Sequence, residues 1–147
     1  MRIKVLGIQE TTKNLTNIGK QVSKLDVPMR QAAAIISRDA RINAPVDTGR
    51  LRASLLPSVR SGGGTTEGVV GSNLIYAAPQ ELGTKPFWPP VSALETWARR
   101  HGMVAFLVAR AISRRGIRAK RYLQRAWNKN KNRISAIFDA YIKRVTQ

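Results

Sequence analysis

The chain has 147 residues, of which 43% are hydrophobic and 6% aromatic; it has no cysteine and carries a formal net charge of +18. That length suits one domain with a modest core, so few aromatics argue against a large all-β interior, and disulfides and thiolate metal sites are excluded. No apolar run approaches the ~20 residues that a membrane span needs.

The excess charge is uneven. Residues 1–98 hold 12 basic and 7 acidic side chains, whereas residues 99–147 hold 14 basic and a single acid, Asp139. Such a field favours an anionic partner, nucleic acid first and an acidic protein or membrane surface second, and it opposes self-association unless something neutralises it. The opening Met-Arg-Ile-Lys-Val-Leu is too short and too quickly polar for a signal peptide, so an intracellular life is the expectation.

In chain order, Arg2–Leu6 reads as a short strand with Ile3 and Val5 on one face, broken by Gly7. Ile8, Leu15 and Val22, with Ile18 and Leu25, form a seven-residue seam that predicts a helix packed along another helix. Asp26 offers a cap and Pro28 fits a first turn, so a second helix follows, with Met29, Ala32, Ala33, Ile36, Ala40 and Ala44 at helical spacing. Pro45 has no N–H and pushes Ala44 out of the α region, which ends that helix. Asp47 and Thr48 are turn residues, and Gly49 can take a positive φ.

Beyond this corner Leu51, Ala53, Leu55 and Val59 alternate, which predicts a strand over Arg50–Arg60 with Arg50, Arg52 and Arg60 on the opposite face. Pro57 marks that strand as an edge or a bulge. Ser61–Gly64 is a hairpin tip, Glu67–Ser72 the return strand, and Asn73–Tyr76 its extension. Gly83–Pro90 is stiff and partly polyproline. Phe87 and Trp88 within it either staple the next helix to the core or anchor a neighbouring subunit.

A helix from Pro90 to about His101 ends at Gly102. Met103–Arg115 carries apolar residues at 103, 104, 107, 108, 111 and 112, a stripe expected to face the core, and Gly116 stops it. A last helix runs from near Ala119 to Val145, with Asn128–Asn132 predicting a kink or break. The expectation is therefore an α+β fold: an antiparallel sheet of three or four strands, with an N-terminal helix pair and C-terminal helices packed on it. It forms a single domain over 1–147, divided into helices, corner and first strand (1–60), hairpin and Pro-rich loop (61–90), and a basic helical region (91–147).

Catalytic chemistry finds little support. His101, the only histidine, sits at a helix end and reads as a C-terminal cap. No nucleophile-elbow or phosphate-loop motif is present. Of the scattered acids only Asp47 and Glu81 lie in turns that could meet over a cation. Arg50 and Arg52 are close enough to neutralise Asp47, and an arginine is the expected partner of Glu81. No catalytic, cofactor or metal site is expected.

The basic residues are more informative. Arg110, Arg114 and Arg118 are four apart, as are Arg121 and Arg125, with Arg115 and Lys120 between them and Lys129, Lys131 and Arg133 beyond. Like charges at that spacing on a helix repel by about 0.2–0.5 kcal/mol per pair, so phosphates or acidic neighbours are expected opposite them. Nothing in the set reads base edges, so binding to nucleic acid would be to backbone phosphate and sensitive to salt.

The corner Ala-Pro-Val-Asp-Thr-Gly-Arg-Leu-Arg-Ala-Ser, with Tyr76-Ala77 and Glu81-Leu82-Gly83-Thr84 further on, resembles the tail-component family of long-tailed bacteriophages, whose members are called tail-completion, neck or head–tail joining proteins. The resemblance runs from about Gly7 to about Trp127. Its motif residues are Pro45, Asp47, Thr48, Gly49, Leu51 and Arg52 at the corner, and Tyr76, Glu81, Gly83 and Thr84 at the second turn. It implies a structural virion protein that completes or joins the tail at the head–tail interface. Such a subunit would form a ring, hexameric by expectation, around or near the DNA channel, after assembly in the host cytoplasm. Tail-terminator and head-closure proteins would be its neighbours, double-stranded DNA would be met without sequence preference, and no membrane is involved. The alternative is a non-specific nucleic-acid-binding protein or regulator outside the virion, with 92–115 as a helix-turn-helix whose turn is short and second helix apolar. A nuclease using Asp47 and Glu81 is a third reading.

Overall fold

A computed structural model describes residues 2–5, 25–62 and 65–146. The helix expected over 8–25 lies, except for Leu25, outside the described residues, as does the break at Gly7. The fold is α+β, and the chain forms two compact units, one of Met1–Leu74 with Tyr122–Gln147 and the other of Ile75–Arg121.

The first unit is built on helix α1 (Asp26–Asn43). Leu25, not Asp26, is its N-cap; Asp26 lies in the first turn, where an acid complements the helix dipole. The helix stops at Ala44, whose ψ of 139° is extended, as Pro45 requires. Met29, Ala32, Ala33, Ile36, Ala40 and Ala44 are all buried. The predicted stripe is therefore the core face, and it lies on the sheet.

That sheet centres on an antiparallel hairpin, β2 (Leu56–Gly62) with β3 (Thr65–Gly71), and β1 (Arg2–Val5) pairs with the other edge of β3. Strand β3 buries Thr66, Gly68 and Val70 in strict alternation. A Cβ on Gly68 would lie 2.7 Å from the Met29 sulfur, so the glycine lets α1 settle on the strand. β2 is an edge strand, where Pro57 costs no ladder bond.

The strand expected over Arg50–Arg60 is half wrong. Arg50–Ser54 forms a short helix, α2, and only Leu56–Gly62 is strand. Arg50 and Arg52 therefore do not share a strand face with Arg60. The reason is ambiguity in a short window: Leu51 and Leu55 are two apart twice over, which suits a strand, and also four apart, which suits a helix. Both are buried, at the start and the C-cap of α2. The extension over Asn73–Tyr76 is absent too; Tyr76 is the N-cap of α3 (Ala77–Leu82), a helix that sequence reading missed.

The C-terminal helix, labelled α6 here (Tyr122–Thr146), packs on α1 without interruption. The break expected at Asn128–Asn132 does not occur: the helix is continuous there, and Asn130 turns inward. Its amide donates to the Asp39 carboxylate (2.6 Å) and to the Ala126 carbonyl (2.8 Å), and Lys129 adds an ion pair to the same Asp39 oxygen (3.1 Å). Asp39 and Asn130 are both buried. The polar run is a cross-link between two helices, while Asn128, Lys131 and Asn132 stay in solvent. Asp39's carboxyl is held below its ordinary value, first by the Asn130 hydrogen bond and then by Lys129, with burial working the other way.

The second unit contains α3, the Pro-rich segment, α4 (Val91–Arg100), α5 (Ala105–Arg115) and a return segment, 116–121. Helices α4 and α5 pack against each other. Of these two helices only Ala98 and Ala109 are fully buried.

Candidate functional site

The corner motif proves to be a self-contained joint. Gly49 takes φ 77° as N-cap of α2. Arg52 of α2 reaches back to the end of α1: its guanidinium donates to the carbonyls of Ala44 and Ile42, both at 3.3 Å. A cation at the end of a helix satisfies carbonyls that have no partner within the helix and complements the dipole. Arg41 and Ser37 of α1 each donate to the Leu55 carbonyl at 2.9 Å, tying the exit of α2 to the same helix. Pro45 ends α1, Leu51 fills the core, and Asp47 and Thr48 lie exposed in the turn. The work of the motif is to set the angle between α1 and the hairpin.

The second motif is also structural, and it acts on a distant segment. The Thr84 N–H donates to the Ile117 carbonyl (2.9 Å), and the Thr84 hydroxyl accepts from the Ile117 N–H (3.0 Å). Lys120 and Arg121 donate their N–H groups to the carbonyls of Gln80 and Glu81, at 2.8 and 3.0 Å. These bonds clasp 80–84 to 117–121 and close the second unit at its base. Gly83 (φ 73°, ψ −179°) and Gly116 (φ 70°, ψ −168°) adopt a conformation essentially confined to glycine. A Cβ on Gly83 would lie 2.6 Å from the Ile117 oxygen, and one on Gly116 would collide with the Thr84 carbonyl. Glycine at 83 is thus required by close backbone approach. Sequence reading took Gly116 only as a helix stop, and nothing in the sequence tied it to Thr84. Glu81, expected in a turn, is a buried residue of α3, and Tyr76 precedes that helix.

The basic residues do not form one stack. Gly116 ends α5 after Arg115, so Arg118 is off the helix that carries Arg110 and Arg114. Arg121 has φ 52° and lies outside α6, which carries Arg125. Of the two runs Arg110–Arg114–Arg118 and Arg121–Arg125, the i, i+4 register therefore survives only for Arg110 and Arg114. All seven side chains, Arg110, Arg114, Arg115, Arg118, Lys120, Arg121 and Arg125, are exposed. Among the described residues none of the seven has a carboxylate partner.

The stripe over Met103–Ile112 was expected to face the core, and it does not. Leu107 is 56% exposed, Met103 and Val104 similarly so, and Phe106, which the spacing did not single out, is 51% exposed. Trp88 of the Pro-rich segment meets Phe106 edge to face, with ring centroids 5.8 Å apart, and is itself 53% exposed beside the half-exposed Phe87. Trp88 thus packs on α5 at the surface rather than in the core, and both it and Phe87 remain half in solvent. Exposed apolar side chains grouped in this way mark interaction surfaces. The same face tells against α4–α5 as a DNA-reading helix-turn-helix, because Phe106 and Leu107 bring no hydrogen-bond donor or acceptor to base edges.

His101 is the C-cap of α4. Its Nδ1 lies 2.9 Å from the Trp97 carbonyl, and its ring stacks on Trp97 at 4.3 Å. Among the described residues no group of three or more His, Cys, Asp or Glu side chains is placed to hold a metal. No described helix is long and apolar enough to cross a membrane.

A family model described as "Bacteriophage HK97-gp10, putative tail-component" matches residues 9–83, half of the chain, and includes the corner and the second motif as far as Gly83. No curated protein and no solved structure matches the chain. The chain belongs to this HK97-gp10-like family of bacteriophage tail components.

Proposed function

We propose that this tail component completes or joins the phage tail at the head–tail interface, as one subunit of a ring, hexameric by expectation, set around or near the DNA channel. The role is structural. Two rigid joints, at the corner and at the Thr84–Ile117 clasp, fix the geometry. The surface chemistry supplies adhesion, with Phe87 and Trp88 at a subunit interface and neighbours that include tail-terminator and head-closure proteins. The exposed cations around 110–125 meet a polyanion, duplex DNA through its phosphates, without reading sequence.

One observation carries this reading. A member of a tail-component family exposes a group of aromatic and aliphatic side chains beside arginines that, among the described residues, have no carboxylate partner. An isolated protein gains nothing from such a surface, whereas an assembled one covers it.

Deleting the gene from its phage tests the reading. Heads and tails are expected to accumulate unjoined, and the wild-type protein supplied in trans should restore joined particles. Normal particles from the deletion would overturn it. Duplex binding by the purified protein supplies a second readout. If five cations meet phosphates, a rise from about 50 to about 200 mM salt weakens binding about 500-fold. Binding indifferent to salt would remove the DNA contact.

A further inference from the structure

Helix α5 joins two chemistries along one side. Phe106 and Leu107 stand half in solvent at its start, with Trp88 against Phe106. One turn on, Arg110 follows Phe106 at i+4 and Leu107 at i+3, and Arg114 follows a turn later. Both guanidinium groups are exposed and, among the described residues, without a carboxylate partner.

A single occupant has to suit both halves. Duplex DNA suits the arginines but would set hydrated phosphates against aromatic rings. A second copy presenting the same face suits the rings and opposes the charges. Residues 75–121 hold nine basic side chains against Glu95 and the buried Glu81. What suits both is a segment with apolar anchors on one side and carboxylates at their edge, a pattern that docks apolar residues in a hot spot and makes charge-assisted hydrogen bonds around it.

We infer that the α5 face is a docking site for an acidic amphipathic segment of another protein, with its apolar side on Trp88, Phe106 and Leu107 and its carboxylates on Arg110 and Arg114. The inference rests on the reading of the protein as an assembly component and adds the chemistry of the partner. It also refines that reading: Trp88, Arg110 and Arg114 go to the partner protein, the subunit interface keeps Phe87, and the phosphate contacts fall to the other cations.

The test uses the full chain and a labelled synthetic helix of about 18 residues, with leucines at i, i+3, i+4 and i+7 and glutamates flanking them. Fluorescence anisotropy in about 0.15 M salt reads the affinity. This peptide should bind about tenfold or more tightly than a scramble of the same composition or a version with lysine for glutamate. Phe106→Ser with Leu107→Ser, and separately Arg110→Glu with Arg114→Glu, should each weaken it about tenfold or more, with the circular dichroism unchanged. Equal binding of the scramble would show charge alone at work and overturn the inference. So would full displacement by a DNA duplex with the Ser variant still binding, which assigns the face to phosphate. Sedimentation that shows the Ser variant dispersing an oligomer would overturn it in favour of a second copy. Absence of peptide binding, with the subunit still needed for joined particles, would remove the acidic partner and leave the assembly role standing.

Discussion

Helices α1 and α5 carry apolar residues at the same kind of spacing and meet opposite fates. In α1 the stripe of Met29, Ala32, Ala33, Ile36 and Ala40 vanishes beneath the sheet and α6. In α5 the stripe through Leu107 and its neighbour Phe106 remains half in solvent, and only Ala109 is fully buried. Helical periodicity reports that a face seeks cover; it is silent on whether the cover comes from the same chain or another. The difference lies in the neighbours. The chain brings α1 a hairpin with a glycine placed to admit it. α5 receives a short helix, a Pro-rich segment and a field of like charge.

The sharpest way to break this contrast is to truncate one residue of each stripe. Ile36→Ala should cost about 2–5 kcal/mol of stability in urea unfolding, because it leaves a cavity in a closed core. Leu107→Ala should stay within about 0.5 kcal/mol, as an exposed position does. Comparable losses at the two sites would show that Leu107 is covered within the chain after all.

Gly116→Ala separates the two units. The alanine is held at a positive φ against the Thr84 carbonyl, so an expected cost of about 1–3 kcal/mol falls on the clasp. Hydrogen exchange should accelerate across 75–121 while the amides of α1 keep their protection. Uniform acceleration in both would mean that the units unfold as one.

Asp39→Ala probes the polar link inside the first unit. It removes an acceptor from the buried Asn130 amide, with an expected loss of about 1–3 kcal/mol. The same carboxylate makes the link sensitive to acid. Its folded pKa lies below the ordinary 3.8, so its contribution is fully present above that value and is lost as the pH falls through the folded one. Melting temperatures between about pH 5 and about pH 2 should fall more for the wild type than for Asp39→Asn. Parallel curves would show that the carboxylate carries no such linkage. The smallest expected effect is at the corner: Arg52→Ala gives up two long hydrogen bonds to carbonyls near solvent and should cost about 1 kcal/mol in the same unfolding assay.

What was legible in the sequence follows the same division. The end of α1 at Pro45, the hairpin about the glycine-rich tip, the edge role of Pro57 and the stops at Gly102 and Gly116 rest on local chemistry, and local chemistry is written in the residues. The helix α2 was misread as strand because five residues cannot distinguish a spacing of two from a spacing of four. The unbroken α6 could not be foreseen from Asn130, since its partner Asp39 lies 91 residues earlier. The motif glycine at 83 was legible as a requirement, but its reason, the approach of Ile117, was not. The exposed face of α5 was the largest misreading. The signal was present in the arginines one turn beyond the apolar residues, a combination ill suited to a core.

The central claim is that the apolar and cationic face of α5 is covered only in the assembled particle. The most direct measurement places Phe106→Ser with Leu107→Ser in the phage and counts joined particles by electron microscopy, with the purified variant's unfolding midpoint measured alongside. The account predicts an unchanged midpoint together with heads and tails that remain separate, as in the gene deletion. Normal yields of joined particles carrying the variant subunit would contradict it.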